Sequence, residues 1–353
     1  MTDIERPVTG RAPEQVVDDR AGAAETQPRG RPGPYQLAAV AVGVVVLVLV
    51  GARLPTTTVL TLENVLALAL FAVATNLLIG YGGLVSFGQA AFLGIGSYVV
   101  ALNWLHWHWS FWVGFALAPV VAAAAALVVG ALALRTRRLY FALLTLAFSQ
   151  LFTTIAQKWY GVTQGDNGIF GAITPASLAD PRNAYMFVLA VVGVSLLVLW
   201  KVTVSPFGLS LRAVRENRER AAALGLDVYR HQLLAFVISG FFCGLAGALL
   251  VVHDQAAYPQ LLDWTRSGDA VLMVVIGGMY QFLGPAIGAF VYQFGHDFIV
   301  QYTKDWQLVL GLVLLAVVLF APDGLAGLLD VRTWRSRFRR SSPAGDADLG
   351  EQR

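Results

Sequence analysis

The stretch Ser205–Arg230, SPFGLSLRAVRENRERAAALGLDVYR, is a densely charged insert in a chain that is otherwise mostly apolar, and its reading decides the fold. An arginine at the bilayer centre costs about 3 kcal/mol on insertion scales, whereas each Leu or Val returns only about half a kcal/mol. The insert therefore lies in water, and the apolar runs on either side of it lie in the membrane. The composition of the whole chain agrees: of its 353 residues, 57% are hydrophobic and 13% charged, with 35 glycines, the profile of a polytopic membrane protein rather than a soluble domain. The lone cysteine, Cys243, sits within an apolar run and excludes a disulfide framework inside the chain.

Outward from the insert, ten apolar segments are expected to cross or enter the bilayer, each judged against the roughly 20 helical residues that the hydrocarbon requires. They run from Tyr35 to Leu54, Thr58 to Ile79, Leu84 to Leu105, Phe111 to Leu134, Leu139 to Lys158, Tyr185 to Val204, Gln232 to His253, Gly268 to Phe282, Gly284 to Tyr302 and Trp306 to Phe320. The eighth is short, and glycines interrupt the third and ninth, so broken or re-entrant helices are expected among them, with loose backbone covered by protein or water. The fold class is thus an all-α polytopic membrane protein. Met1–Pro34, mixed in charge and poor in large apolar side chains, is expected to be a disordered cytoplasmic tail and not a cleaved signal peptide. The membrane domain occupies 35–328, with a loop at 205–231 on one side and another at 159–184 on the other, and 329–353 forms a basic cytoplasmic tail.

Arginines set the orientation. Arg135, Arg137, Arg138, then Arg212, Arg215, Arg218, Arg220 and Arg230, and finally Arg332, Arg335, Arg337, Arg339 and Arg340 fall on one side. The other side holds mainly Arg53, Arg182, Arg266 and Lys304. The positive-inside rule places both termini and the Ser205–Arg230 loop in the cytosol of a cell-membrane protein. Trp104, Trp107, Trp109 and Trp112 then form an outer interfacial belt. Within the loop, Ser205-Pro206 starts a helix, Leu209–Leu224 lacks proline and glycine, and Gly225 ends it, so one helix of about four turns is expected. Leu211, Val214, Ala221 and Leu224 line one side of it, a narrow apolar stripe of the kind that fits a groove on another protein; a solvated surface helix is the alternative.

Other features take a structural or a functional reading. The glycines of GYGGLVSFGQAAFLGIGS (Gly80–Ser97) follow no strand and precede no P-loop lysine, so they are not a nucleotide loop. They suit either close helix packing or a broken helix beside a solute pathway, with Asn76, Ser86 and Gln89 as polar candidates. Gly240 with Gly244, and Gly284 with Gly288, have helix-interface spacing. His106 and His108 lack companion ligands, so no metal site is expected; Asp166 and Asn167 either turn the outer loop or contact a partner or solute. No convergent acid, base or nucleophile suggests an enzyme, and there is no Walker A sequence. A secondary transporter or facilitative channel for a small polar solute such as urea would need a mid-membrane coupling or liganding site. Glu63, Asp254, His296 and Asp297 flank their segments rather than centre them.

Five ordered blocks carry a resemblance. SPFGLSLRAVREN with RAAALG and LLAFVISGFFCGLAGALL is similar to the cytoplasmic loop and following span of the branched-chain amino acid (LivM-type) permeases of ABC importers. NLLIGYGGLVSFGQAAFLGIGSYVVA, RRLYFALLTLAFSQLF with VTQGDNGI, VLMVVIGGMYQFLGPAIGAF, and FAPDGLAGL resemble their other blocks, over about 60–328. The resemblance implies a non-catalytic permease subunit that binds no cofactor itself. Its partners would be two cytosolic ATPases carrying ATP and magnesium, a second permease in a heterodimer, an extracytoplasmic solute-binding protein and membrane lipid, with no role for nucleic acid. It further implies that Arg212, Arg215, Glu216, Asn217, Glu219, Arg220, Ala221 and Gly225 form the coupling helix that lies in an ATPase groove. The chain departs from the family pattern at Arg218, often acidic there, at Gln164 and Tyr280, often glycine, and at Asp269, often glutamate.

Overall fold

The computed structural model describes residues 55–136, 138–171 and 173–302, with 308–309, 311–312 and 324–325. The first apolar segment, the two tails with their arginines, and the tenth segment apart from the helical pairs at 308–309 and 311–312 lie outside the described residues. The described chain is almost entirely helical: α1 (Thr56–Asn76, continued by a wide π-turn, Leu77–Tyr81), α2 (Gln89–Leu102, continued likewise through Asn103–Trp107), α3 (Phe111–Ala133), α4 (Arg138–Lys158), α5 (Pro181–Val204), α6 (Pro206–Glu216), α7 (Arg218–Ala223), α8 (Val228–Asp254), α9 (Trp264–Gly277) and α10 (Gly284–Val300).

Five of these helices among the described residues are long and apolar enough to cross a membrane: Thr56–Tyr81, Phe111–Ala133, Leu139–Lys158, Pro181–Val204 and Val228–Asp254. At 1.5 Å per residue each reaches about 30 Å or more. By the same measure α2, α9 and α10 span only about 20–25 Å. The break before α2 falls at Gly82–Gly88, and α9 starts before the expected segment, because Arg266 lowers the hydropathy of a first turn that is nonetheless helical. It stops at Gly277, since Gly278 adopts φ +109°.

The apolar pattern sorts the helices by depth. α1 is apolar all round and its whole second half is buried, as expected of a helix enclosed by others. It packs against α5, α8, α9 and α10, while α8 packs also against α2 and α3. Outward faces of α3, α4 and α5 instead expose Val120, Val128, Leu143, Leu151, Val194 and Val198, a surface suited to lipid.

Because lipid offers no hydrophobic drive between helices, close approach of backbones must supply the cohesion. At the α2–α8 crossing a Cβ on Gly247 would collide with the Leu93 carbonyl oxygen, and one on Gly96 with the Gly244 carbonyl oxygen. Gly240 and Gly244 receive Ala126 and Ala122 of α3, and Gly284 and Gly288 sit against the α9 backbone at Gly278 and Met273, so both pairs lie at helix contacts. Just past the end of α8, a two-stranded sheet, the one among the described residues, pairs β1 (Ile169–Phe170) antiparallel to β2 (Ala256–Ala257).

Candidate functional site

Ser205 caps α6 by accepting from Gly208 N at 3.4 Å, with Pro206 as first helical residue. The single helix expected over Leu209–Leu224 is not what forms. Asn217 is extended (φ −153°, ψ 108°), ends α6, and caps α7 by accepting from Arg220 N at 2.8 Å. Asparagine competes for backbone groups in this way and so suits caps over helix interiors. The resulting elbow turns Leu211, Val214 and Ala221 inward, where all three are buried. The apolar stripe is therefore used within the chain and not offered to a partner, except for Leu224, which is 77% exposed.

The arginines divide the same way. The Arg212 guanidinium lies 4.7 Å from the centroid of the Tyr81 ring, at the π-turn that ends α1. Arg215 lies 4.9 Å from that of Tyr280, in the α9–α10 turn, and its guanidinium donates to the Gly80 carbonyl oxygen. Gly83, at φ +64°, leaves room for the Arg215 stem: a Cβ there would stand 2.6 Å from Cγ. Arg218 donates to Gln232 Oε1 at 2.7 Å. Glu216, Asn217, Glu219, Arg220 and Leu224 remain exposed on the outer side of the elbow, and Gly225, at φ +86°, closes it. Of the eight residues the resemblance assigned to coupling, Arg212, Arg215 and Ala221 thus face the chain's own helices.

Asn76, Ser86 and Gln89 are all buried. Side chains of other helices meet amides at the end of the unwound Gly82–Gly88 segment and in the first turn of α2: Thr145 Oγ1 accepts from Phe87 N at 3.2 Å and Ser267 Oγ from Ala90 N at 2.9 Å. Gln89 is fully engaged. Its Nε2 donates to Ser86 Oγ at 3.3 Å, and its Oε1 accepts from Ser239 Oγ at 3.1 Å and Cys243 Sγ at 3.4 Å. Asn76 is separate from this layer and its Oδ1 has no partner among the described residues. Replacing Gln89 by Leu removes the acceptor of the Cys243 thiol, one of the two acceptors of the Ser239 hydroxyl and a donor to Ser86 Oγ, so Gln89→Leu is expected to destabilise the chain by about 2 kcal/mol. A thermal melt of the detergent-purified protein checks this, with Ser239→Ala as the smaller loss.

A polar cluster that the linear sequence did not suggest lies at the opposite end of α8. Glu63, on α1, has Oε2 3.8 Å from His253 Nδ1, and His253 Nε2 is 3.8 Å from Asp254 Oδ1. Tyr258 donates to Asp254 Oδ2 at 3.1 Å and lies beside Arg266, whose Nη1 is 3.7 Å from Asp269 Oδ2. Tyr292 lies beside Asp269. The sequence signal was present as ionisable residues in otherwise apolar segments, but each stands near an end of a different segment, and only the fold joins them.

At this far end Trp107, Trp109 and Trp112 are exposed, and His106 Nε2 lies 3.1 Å from the Val162 carbonyl oxygen. Gln255 holds the 159–184 loop, donating to Thr174 Oγ1 at 2.6 Å and accepting from Thr174 N at 3.3 Å. Asp166 and Asn167, in a 3-10 turn, are exposed. Among the described residues no group of His, Cys, Asp and Glu side chains is arranged to hold a metal ion.

Comparison with known proteins places this architecture. The chain is 27% identical over 277 residues to the high-affinity branched-chain amino acid transport system permease protein LivM of Salmonella typhimurium, and equally to that of Escherichia coli; each match covers 71% of this chain. The chain spans about 65% of the length of those LivM relatives. A probable branched-chain amino acid transport permease protein LivH of Methanocaldococcus jannaschii is 27% identical over 160 residues, 41% of this chain and 47% of the relative. No solved structure matches. The sequence profile of the family described as branched-chain amino acid transport system, permease component, matches residues 57–319. That match takes in, from residue 57 on, the five spans among the described residues and the elbow between α5 and α8, and the chain belongs to this family of permease components.

Proposed function

We propose that the chain is the transmembrane permease subunit of an ABC importer, forming the pathway for branched-chain amino acids or a related small polar solute, powered by ATP hydrolysis on separate subunits. The observation that carries the reading is the elbow. It is fixed to the membrane core through Arg212 and Arg215, while Glu216, Asn217, Glu219, Arg220 and Leu224 face away from it. A rigid projection with its inner face latched to two membrane elements can pass a push from a partner directly to the Tyr81 turn and the α9–α10 turn. Two cytosolic ATPases, holding ATP and magnesium, are the partners that supply the push. A second permease completes the membrane pair as a heterodimer. An extracytoplasmic binding protein delivers solute near Asp166 and Asn167.

In this reading the elbow and both termini are cytosolic, the chain makes about ten crossings or re-entrant segments of the cell membrane within 35–328, and the tails 1–34 and 329–353 flank them. The subunit itself is not catalytic. The cluster around Glu63 and Arg266 favours a second reading, a secondary transporter with its own ionisable site. The two separate in one experiment. Leu224→Glu places a charge on the outward elbow surface, at the end of α7, and is expected to lower both uptake and co-purification of the ATPase subunits at least about tenfold, at unchanged membrane level. Uptake that survives this variant, and survives ATPase-inactive partner subunits, contradicts the ABC reading.

A further inference from the structure

The cluster joining α8 to α9 has the makings of a ligand site. Its position follows from contacts. Ser267, in the first turn of α9, bonds Ala90 N beside Gln89, which in turn bonds Ser239, twelfth of the 27 residues of α8. The α9 backbone at Ser267 therefore packs near the middle of α8, while the Arg266 side chain lies beside Tyr258, whose hydroxyl bonds Asp254, the last residue of α8. There Asp263 caps α9, accepting from Thr265 N at 2.9 Å, and Arg266 is 40% exposed. An arginine whose stem starts among apolar helices turns its head group to protein or water, and here it turns to Tyr258 and Asp269.

Tyrosines bond within the cluster, Tyr258 with Asp254 and Arg266 and Tyr292 with Asp269, but its ion pairs are loose. Arg266 to Asp269 is 3.7 Å, and Glu63 to His253 and His253 to Asp254 are 3.8 Å each, all beyond the 2.7–2.9 Å of a charge-assisted hydrogen bond. Glu63, 1% exposed, has Oε1 without a partner among the described residues. A cluster serving only to hold helices together would close these gaps, since a buried polar group left unmet is costly. Capacity is left on both signs: donors on Arg266, and acceptors on Asp254, Asp269 and Glu63.

We propose that this cluster, where the end of α8 meets the start of α9, is a recognition site for a zwitterionic α-amino acid, with Arg266 receiving the carboxylate and Asp269 and Asp254 receiving the ammonium. It rests on the reading of the chain as an amino-acid permease and adds to it that the permease itself filters by charge. A planar guanidinium matches a carboxylate two-pronged, and an adjacent acid places the ammonium one carbon away.

The test uses cells that carry the partner subunits natively, with radiolabelled leucine as probe and isopentylamine, which lacks the carboxylate, as competitor. Arg266→Gln and Asp269→Asn are each expected to lower gene-dependent leucine uptake at least tenfold at unchanged membrane level. Arg266→Lys is expected to restore part of it. In Arg266→Gln the preference for leucine over isopentylamine is expected to fall at least tenfold from the wild-type value, a change that a merely structural role would not produce. Leucine uptake within about twofold of wild type in both neutral variants overturns the site and leaves the permease reading intact. Disappearance of both Arg266→Gln and Arg266→Lys from the membrane would make Arg266 a folding residue and also overturn it. If deleting the gene leaves leucine uptake unchanged, the amino-acid reading and the site fall together.

Discussion

Arg215→Glu is expected to reduce solute uptake about a hundredfold or more while the chain stays inserted in the membrane. Arg215 contributes two interactions to the elbow: its position over the Tyr280 ring, worth about 1–2 kcal/mol when partly desolvated, and a charge-assisted hydrogen bond to the Gly80 carbonyl oxygen, worth about 1.5–3 kcal/mol. Glutamate loses both and sets a carboxylate against that oxygen. A shift of about 3 kcal/mol in docking changes the latched population roughly a hundredfold, so the elbow would swing without moving the α9–α10 turn. Limited trypsin digestion at the neighbouring exposed Arg220 should quicken in the same variant. Glu219→Arg provides the contrast: Glu219 is exposed on the outer side of the elbow, so the reversal should weaken partner binding without raising trypsin sensitivity. The double reversal at Arg215 and Glu219 combines two separable defects and uncouples ATP hydrolysis from uptake.

The second large effect is structural. Gly247→Leu is expected to remove the protein from the membrane almost completely, with a cost of about 3 kcal/mol or more, because the first added carbon meets the Leu93 carbonyl oxygen and not a side chain that could turn aside. Relief would require α2 and α8 to separate, and with them the layer in which Gln89 bonds Ser239 and Cys243. Gly295→Ala, on α10, meets nothing within 4 Å and should accumulate normally or melt slightly higher, since alanine favours a helix by about 1 kcal/mol over glycine. Immunoblots of membrane fractions and melts in detergent check both. Equal accumulation of Gly247→Leu and wild type would contradict the described crossing.

The long spans were legible because length and hydropathy alone mark them: α3, α5 and α8 coincide with their expected segments to within a few residues. Gly240 and Gly244 were legible as interface residues because small-xxx-small spacing has one physical use in lipid. The elbow was not. A charged run with good helix formers on both sides of Asn217 reads as one helix, and its break comes from a local cap together with the burial of Leu211, Val214 and Ala221 against distant parts of the chain. Nor could the inward turn of Arg212 and Arg215 be read, since Tyr81 and Tyr280 lie more than fifty residues away in sequence on either side. The Glu63–Arg266 cluster was hidden for the same reason: topology, not spacing, gathers α1, α8, α9 and α10 around it.

The most direct measurement is the labelling of Leu224→Cys with a membrane-impermeant maleimide. The native Cys243 is fully buried, so background reaction should be small. The account predicts labelling in inverted membrane vesicles stripped of ATPase subunits, protection when those subunits are bound, and none in intact cells. Labelling from outside intact cells, or equal labelling with and without the ATPases, would contradict it.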